Sequence, residues 1–174
     1  MKKHIEAFGY AKEIISAIPK GVLVTAKADG KVNPMTIGWG TMGVEWGKPI
    51  FTVFVRESRF TKGLLDKNPE FTINVPYGAY DKNIICVCGT KSGRDMDKVS
   101  ALGLTLEEPE TVSVPGIKEL PLTLECRVIY KQEQDPAAIP DDLTRRYYPR
   151  DNGSNGDYHT AYYGEIVAAY IIED

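Results

Sequence analysis

Short apolar segments rich in β-branched and aromatic residues follow one another along most of the chain, separated by Gly, Pro, Asn and Asp. This pattern is typical of β-strands joined by turns. The clearest strand covers residues 50–56 and follows Gly47-Lys48-Pro49, while Ala28-Asp29-Gly30 carries the Asp-Gly signal of a hairpin turn. The same pattern predicts strands over residues 21–27, from residue 31 onward, and over 70–75, 122–132 and 162–172.

Helical spacing of apolar residues is clearest near the start of the chain. It covers residues 6–18, and Pro19 is expected to end this helix. Residues 80–88 fit no single pattern, although Asp81 would cap a helix there. Many short strands with few helices predict a mainly β domain, a barrel or sandwich with helical decoration. Shorter helices are predicted over residues 58–66 and 95–102.

The composition fits one soluble globular domain, residues 1–174, with 43% hydrophobic and 26% charged residues. A net charge of −3 argues against a nucleic-acid surface. No apolar run approaches the roughly 20 residues of a membrane span. Glu6, Lys12 and Glu13 interrupt the N-terminal segment before a signal-peptide core can form. We therefore expect a cytoplasmic protein that binds neither nucleic acid nor membranes.

The chain has three cysteines, Cys86, Cys88 and Cys126, without a Cys-x-x-Cys pair. An odd number without that spacing argues against a disulfide framework or a zinc site. We expect buried, reduced cysteines. Cys86 and Cys88 share a face only if their segment is extended, because on a helix the two thiols diverge.

Ser58-Arg59-Phe60-Thr61-Lys62 comes directly after the clearest strand. A helix that begins here offers free backbone N–H groups and a partial positive charge to an anion. Ser58 and Thr61 add hydroxyl donors, and Arg59 and Lys62 add charge that suits a phosphate group. The alternative is a plain serine cap followed by solvated basic residues. Thr61 stands where a capping box requires Glu or Gln, so that motif is absent.

Asn33-Pro34-Met35-Thr36, followed by Trp39, is a second candidate site. Asn33 and Thr36 can form directional hydrogen bonds with a ligand edge that carries both N–H and C=O groups. Met35 and Trp39 can supply apolar cover. A flavin ring has such an edge and a flat apolar body. The alternative is a strand that opens with a proline bulge.

Several motifs run in a fixed order over most of the chain. They are Pro19 through Val22-Leu23-Val24-Thr25, Asp29-Gly30, Asn33-Pro34-Met35-Thr36, Trp39, Ser58-Arg59-Phe60-Thr61, Asn68, Phe71-Thr72-Ile73-Asn74-Val75-Pro76, Ser92-Gly93-Arg94-Asp95 with Asp97-Lys98, and Gly164-Glu165-Ile166-Val167. In this order they resemble the flavin reductase-like, FMN-binding split β-barrel family. That family includes flavoredoxin-type electron carriers and NAD(P)H:flavin oxidoreductases. The resemblance implies a split β-barrel with short peripheral helices.

The resemblance also implies FMN as the cofactor and a homodimer with the flavin near the subunit interface. The segment from Asn33 to Thr36, with Trp39, would line the isoalloxazine ring, and the segment from Ser58 to Lys62 would hold the phosphate. Asn74 would close the strand before the pocket, and the loop that begins at Ser92 would lie beside it. No Gly-x-Gly-x-x-Gly motif follows a strand, so a Rossmann dinucleotide site is not supported.

The function implied is an FMN-dependent oxidoreductase that receives electrons from NAD(P)H or from a protein donor. One alternative is a non-enzymatic flavoredoxin-type carrier, and another is a split-barrel dimer that binds a different phosphate-bearing ligand. His159 is a candidate for the nicotinamide side, although it precedes Thr160 where such reductases commonly carry proline. Residues 135–157 lack strand character and are predicted to be a functional or partner-facing excursion.

Overall fold

The computed structural model describes residues 1–150 and 156–173. Strands form most of the secondary structure in these two ranges. They are β1 (Lys2–His4), β2 (Val22–Ala28), β3 (Lys31–Ile37), β4 (Gly40–Glu45), β5 (Lys48–Arg56), β6 (Glu70–Val75), β7 (Leu106–Glu107), β8 (Gly116–Ile117), β9 (Leu122–Glu133) and β10 (His159–Ile172).

One antiparallel sheet dominates the described ranges, in the order β3-β2-β6-β9-β10-β5-β4 with β1 added to β10. The register of β9 and β10 shifts between Tyr163 and Gly164, and such a bulge bends a strand. A side chain at Gly164 would lie 2.4 Å from Phe71 Cζ, so glycine lets β10 approach that ring. The curved sheet encloses an apolar core that includes Phe51, Phe71 and Tyr162.

The strands predicted from the sequence are confirmed, with ends that differ by at most three residues. The hairpin between β2 and β3 is confirmed as well, because Asp29 and Gly30 have φ values of 50° and 73°, as its tight turn requires. The strand pattern did not predict β1, β4, β7 or β8. Strand β4 ends one side of the sheet and is mostly half-buried or exposed, so it carries no apolar run.

Short helices surround the sheet. The first α-helix ends at Ala17, just before Pro19 as expected, and Pro19 itself lies in the first turn of the 3-10 segment Ile18–Lys20. The helix predicted from Ser58 begins at Phe60. Asp81 is confirmed as a cap, since its carboxylate accepts a hydrogen bond from Asn83 N at 2.8 Å. The α-helices are α1 (Ala11–Ala17), α2 (Phe60–Lys67), α3 (Lys82–Thr90), α4 (Lys98–Leu102) and α5 (Asp141–Tyr147).

Helices α3 and α4 cover the outer face of β2 through a second apolar cluster that includes Leu23, Ile84 and Cys88. Cys88 and Cys126 are buried free thiols, as predicted, but Cys86 is exposed. The expectation for Cys86 was wrong because the segment is helical, so its side chain points away from that of Cys88. This layer places the end of α3 beside β3.

None of the helices in the described residues is long and apolar enough to cross a membrane. Residues 1–150 and 156–173 also contain no group of three or more His, Cys, Asp and Glu side chains that could hold a metal ion.

Candidate functional site

A buried contact joins the two segments that the sequence singled out. Asn33 Nδ2 on β3 donates a hydrogen bond to Thr61 Oγ1 in the first turn of α2 at 3.0 Å. The Thr61 hydroxyl in turn lies 3.3 Å from Met35 Sδ, toward which it donates. All three side chains are buried. Residues 28 positions apart in the chain therefore form one site.

The loop after α3 closes over this contact. A Cβ at Gly93 would lie 2.2 Å from Asn33 Oδ1 and 2.5 Å from Phe60 Cδ1, so no other residue fits without displacing its neighbours. Arg94 Nη1 donates to the carbonyl of Ser58 at 2.9 Å, and its guanidinium lies over the Phe60 ring. The backbone of this loop thus lies directly against the start of α2.

A small cavity of about 100 Å³ lies between β3, the start of α2 and this loop. Its size suits one compact group, because pockets for whole cofactors measure roughly 300–1,000 Å³. Its charge comes from Arg59, Lys91, Arg94 and Lys98, and among the described residues no carboxylate lines it. The site residues predicted from the sequence that line this cavity are Asn33, Met35, Ser58, Arg59, Thr61 and Ser92.

A second cavity of about 180 Å³ adjoins the first and shares Met35 and Arg59 with it. Thr36 and Trp39, both predicted ring-site residues, line this second cavity. The Thr36 hydroxyl donates to the carbonyl of Ile85 at 2.7 Å, which fixes its orientation. The indole of Trp39 remains 40% exposed. A cationic cavity therefore opens beside an aromatic one.

Two of the predicted site residues lie away from both cavities. Lys62 Nζ forms an ion pair with Asp66 at 2.8 Å and lies 3.7 Å from Glu57. The position of Lys62 follows from the helix, because successive helical residues point about 100° apart and Thr61 faces the core. Asn74 is fully buried opposite Leu23, where its amide donates to the Thr123 hydroxyl at 3.0 Å.

Ser58 does not cap α2. Its hydroxyl and its backbone N–H donate to the two carboxylate oxygens of Asp157 at 2.7 Å and 2.8 Å. Arg56 donates to the backbone carbonyls of Asp157 and Tyr147, both at 3.0 Å. The excursion predicted over residues 135–157 therefore folds back against the site, whereas its residues 151–155 lie outside the described part of the chain.

His159 begins β10 and is buried in the wall of the second cavity. Its Nδ1 lies 2.8 Å from the Tyr148 hydroxyl, and its ring centroid lies 4.9 Å from that of Trp39. Burial and the positive charges of Arg56 and Arg59 lower the pKa of His159 to about 4, against the opposing effect of Asp157. The imidazole is therefore neutral at pH 7.

Sequence reasoning placed Lys98 in a matching motif but assigned it no role, and it overlooked Lys91 and Asp157. Lys98 is only 2% exposed. Lysine is rarely buried, so the local sequence provided no reason to expect this burial. Asp157 reaches Ser58 across 99 positions of sequence, so only the folded chain reveals their contact. The available signal for Lys98 was its place in Asp97-Lys98, one of the motifs through which the sequence resembles the flavin reductase-like family.

The family model of the flavin reductase-like domain matches residues 15–174 of this sequence. The chain belongs to the flavin reductase-like family. Among curated proteins of this kind, an uncharacterized protein of Archaeoglobus fulgidus is 36% identical over 103 residues, which are 59% of this chain and 57% of that protein. The chain thus spans less than three fifths of the length of the curated relatives it matches.

Solved structures of family members have the same fold. Flavoredoxin from Methanosarcina acetivorans is 30% identical, with a TM-score of 0.66 over 88% of this chain and 68% of that chain. An FMN-binding protein from Thermus thermophilus, solved with p-hydroxybenzaldehyde, is 25% identical, with a TM-score of 0.64 over 88% of this chain and 71% of that chain. The split β-barrel with short peripheral helices predicted for this family member is therefore confirmed.

The low pKa of His159 gives a direct test of the geometry around it. Replacing Arg56 with glutamine removes a positive charge, so the pKa of His159 should rise from about 4 toward its ordinary value. Proton and nitrogen chemical shifts of the imidazole, followed by NMR from pH 3 to pH 8, measure it. Arg56→Lys keeps the charge and should leave this pKa low. An unchanged pKa in Arg56→Gln would contradict the arrangement.

Proposed function

We propose that this chain binds FMN and acts as an FMN-dependent oxidoreductase of the flavin reductase type. One observation carries the proposal: a cavity beside Gly93, lined by Arg59, Arg94 and the buried Thr61 and by no carboxylate of the described residues, adjoins an aromatic cavity lined by Trp39. The first suits a phosphate monoester and the second suits the edge of a flat ring. The printed names of the structural relatives, flavoredoxin and FMN-binding protein, support the same proposal.

The residues present fit the cofactor. A side chain at position 93 would clash with Asn33, so glycine at this position leaves the space of the small cavity unfilled. Arginine suits phosphate because its planar guanidinium can donate two parallel hydrogen bonds, and Arg59 at the start of α2 is exposed to solvent and lines both cavities. In the proposed complex Arg59 and Arg94 hold the phosphate, while Thr61, whose hydroxyl proton is directed at Met35 Sδ, keeps Asn33 and Met35 in place beneath it.

Asn33, Met35, Thr36 and Trp39 form the proposed ring side. When bound, FMN supplies the redox chemistry, and the protein contributes binding, orientation and electrostatics. The contact between Thr61 and Met35 fixes the thioether, which leaves an apolar surface toward the second cavity. His159 contributes a neutral hydrogen-bonding group there, with Nε2 left for a ligand because Nδ1 already contacts the Tyr148 hydroxyl.

The size of the site favours a homodimer. The aromatic cavity of about 180 Å³ is smaller than the roughly 300–1,000 Å³ that pockets for whole cofactors occupy. Trp39, which lines this cavity, keeps 40% of its surface exposed. We infer that a second copy of the chain supplies the missing wall over the ring.

A second candidate function is electron carriage without a nicotinamide substrate. The 30% identity to a flavoredoxin favours it. Both candidates share the same site and differ only in the donor, which is NAD(P)H for a reductase and another redox protein for a carrier.

Arg59→Gln should weaken FMN binding by about tenfold to a hundredfold, because a hydrogen bond between charged groups contributes roughly 1.5–3 kcal/mol. Riboflavin has no phosphate, so its binding should change little. Quenching of flavin fluorescence measures both affinities. Lys62→Gln is the matched control, since its ammonium faces Asp66 instead of the cavity. Equal losses for FMN and riboflavin in Arg59→Gln, or a larger effect of Lys62→Gln, would contradict the assignment.

Anaerobic mixing with NADH or NADPH separates the two functions. We expect the yellow absorbance of the FMN-loaded protein to bleach rapidly with at least one of them, as stopped-flow spectroscopy would record. Absorbance that persists with both nucleotides but disappears with dithionite indicates the carrier. Protein that remains colourless after incubation with FMN excludes both candidates and leaves a different phosphate-bearing ligand.

A further inference from the structure

Lys98 is a buried ammonium group at the first position of α4. It is 2% exposed, and its Nζ donates to the carbonyl oxygens of Pro34 at 2.8 Å and Cys88 at 3.2 Å. An ammonium group has three N–H donors, and within residues 1–150 and 156–173 the third has no protein acceptor. Lys98 also lines the small cationic cavity.

The charge of Lys98 has no carboxylate partner in the described parts of the chain. The neighbouring Asp97 uses its carboxylate to cap α4, with hydrogen bonds to Val99 N, Ser100 N and the Ser100 hydroxyl. Burial raises the pKa of the Cys88 thiol to about 11, so this thiol is neutral at pH 7 and supplies no counter-charge.

The other charged groups around the cavity are also positive. Arg59 faces Lys98 from the start of α2, and Lys91 and Arg94 face it from the loop after α3. An unpaired buried charge is costly unless an opposite charge compensates it. Arg59, Lys91 and Arg94 are exposed to solvent, so this cost falls on the buried Lys98, whose charge favours an anion bound in the cavity of about 100 Å³.

We propose that Lys98 determines the specificity of the cavity for a phosphate monoester, by donating its third hydrogen bond to the phosphate group of the bound ligand. The inference rests on the proposed function, in which that ligand is FMN. Pro34 and Cys88 hold the ammonium in place through their carbonyl oxygens, so the group is oriented before the ligand arrives. A phosphate monoester with two negative charges satisfies Lys98 and Arg59 together.

This role makes phosphate recognition depend on pH. Burial, together with Arg59, lowers the pKa of Lys98 below its ordinary value. Ligand phosphate keeps both charges above about pH 6. As the pH rises through the lowered pKa of Lys98, the empty site loses its proton and the affinity for FMN should fall. The affinity for riboflavin, which lacks the phosphate, should not follow this course.

Lys98→Met tests the proposal, because methionine has a similar length and no charge. The variant should bind FMN about tenfold to a hundredfold more weakly in a fluorescence titration, with riboflavin affinity changed by less than about threefold. Lys12→Met, an exposed change on α1, is the control and should bind both ligands as the wild type does. An FMN affinity in folded Lys98→Met equal to that of the wild type would overturn the proposal.

The wild-type protein provides a second measurement that does not depend on how the variant folds. The ratio of FMN affinity to riboflavin affinity should decrease between pH 7 and pH 10, and a constant ratio would overturn the proposal. Ionisation of the flavin ring affects both ligands and cancels in this ratio. In Lys98→Met the ratio should be lower and less dependent on pH. Wild-type protein that binds neither ligand would instead refute the proposed function itself.

Discussion

The hydrogen bond from Asn33 to Thr61 is the contact on which the site depends. It joins the sheet to the first turn of α2, and the Thr61 hydroxyl extends it to Met35. All three side chains line the cationic cavity, and Met35 also lines the aromatic one. Because the Gly93 backbone packs directly on Asn33, the loop after α3 also takes its position from this contact. Fold and site therefore share one small set of buried polar atoms.

The charged groups are distributed unevenly around the two cavities. Positive groups collect around the smaller cavity, while nearby carboxylates are engaged elsewhere: Asp66 with Lys62, and Asp157 with Ser58. The second cavity contains a neutral His159, since burial and two arginines keep the proton off its ring. Arg56 and Arg59 also line this second cavity, which differs from the first in its aromatic side chains, Trp39 and Phe54. Trp39 lines the same cavity and remains 40% exposed in the described chain.

Local sequence patterns predicted the long strands and the hairpin at Asp29, because each depends on neighbouring residues. They failed where the direction of a side chain depends on a distant contact. Asp157 binds Ser58 from 99 positions away, so the hydroxyl and the N–H of Ser58 are directed at that carboxylate and Ser58 does not cap α2. Neither the local patterns nor the resemblance to the family indicated that Asn74 is buried away from both cavities, where its amide donates a hydrogen bond to the Thr123 hydroxyl.

A crystal structure of the protein with FMN tests the central claim most directly. The account predicts the phosphate in the small cavity, within hydrogen-bonding distance of Lys98 Nζ and the Arg59 guanidinium, with the ring toward Trp39. A groove of about 480 Å³ lies on the other side of Gly93 and contains Lys31 and Arg94. A phosphate bound in that groove, with the small cavity empty of ligand, would contradict the account.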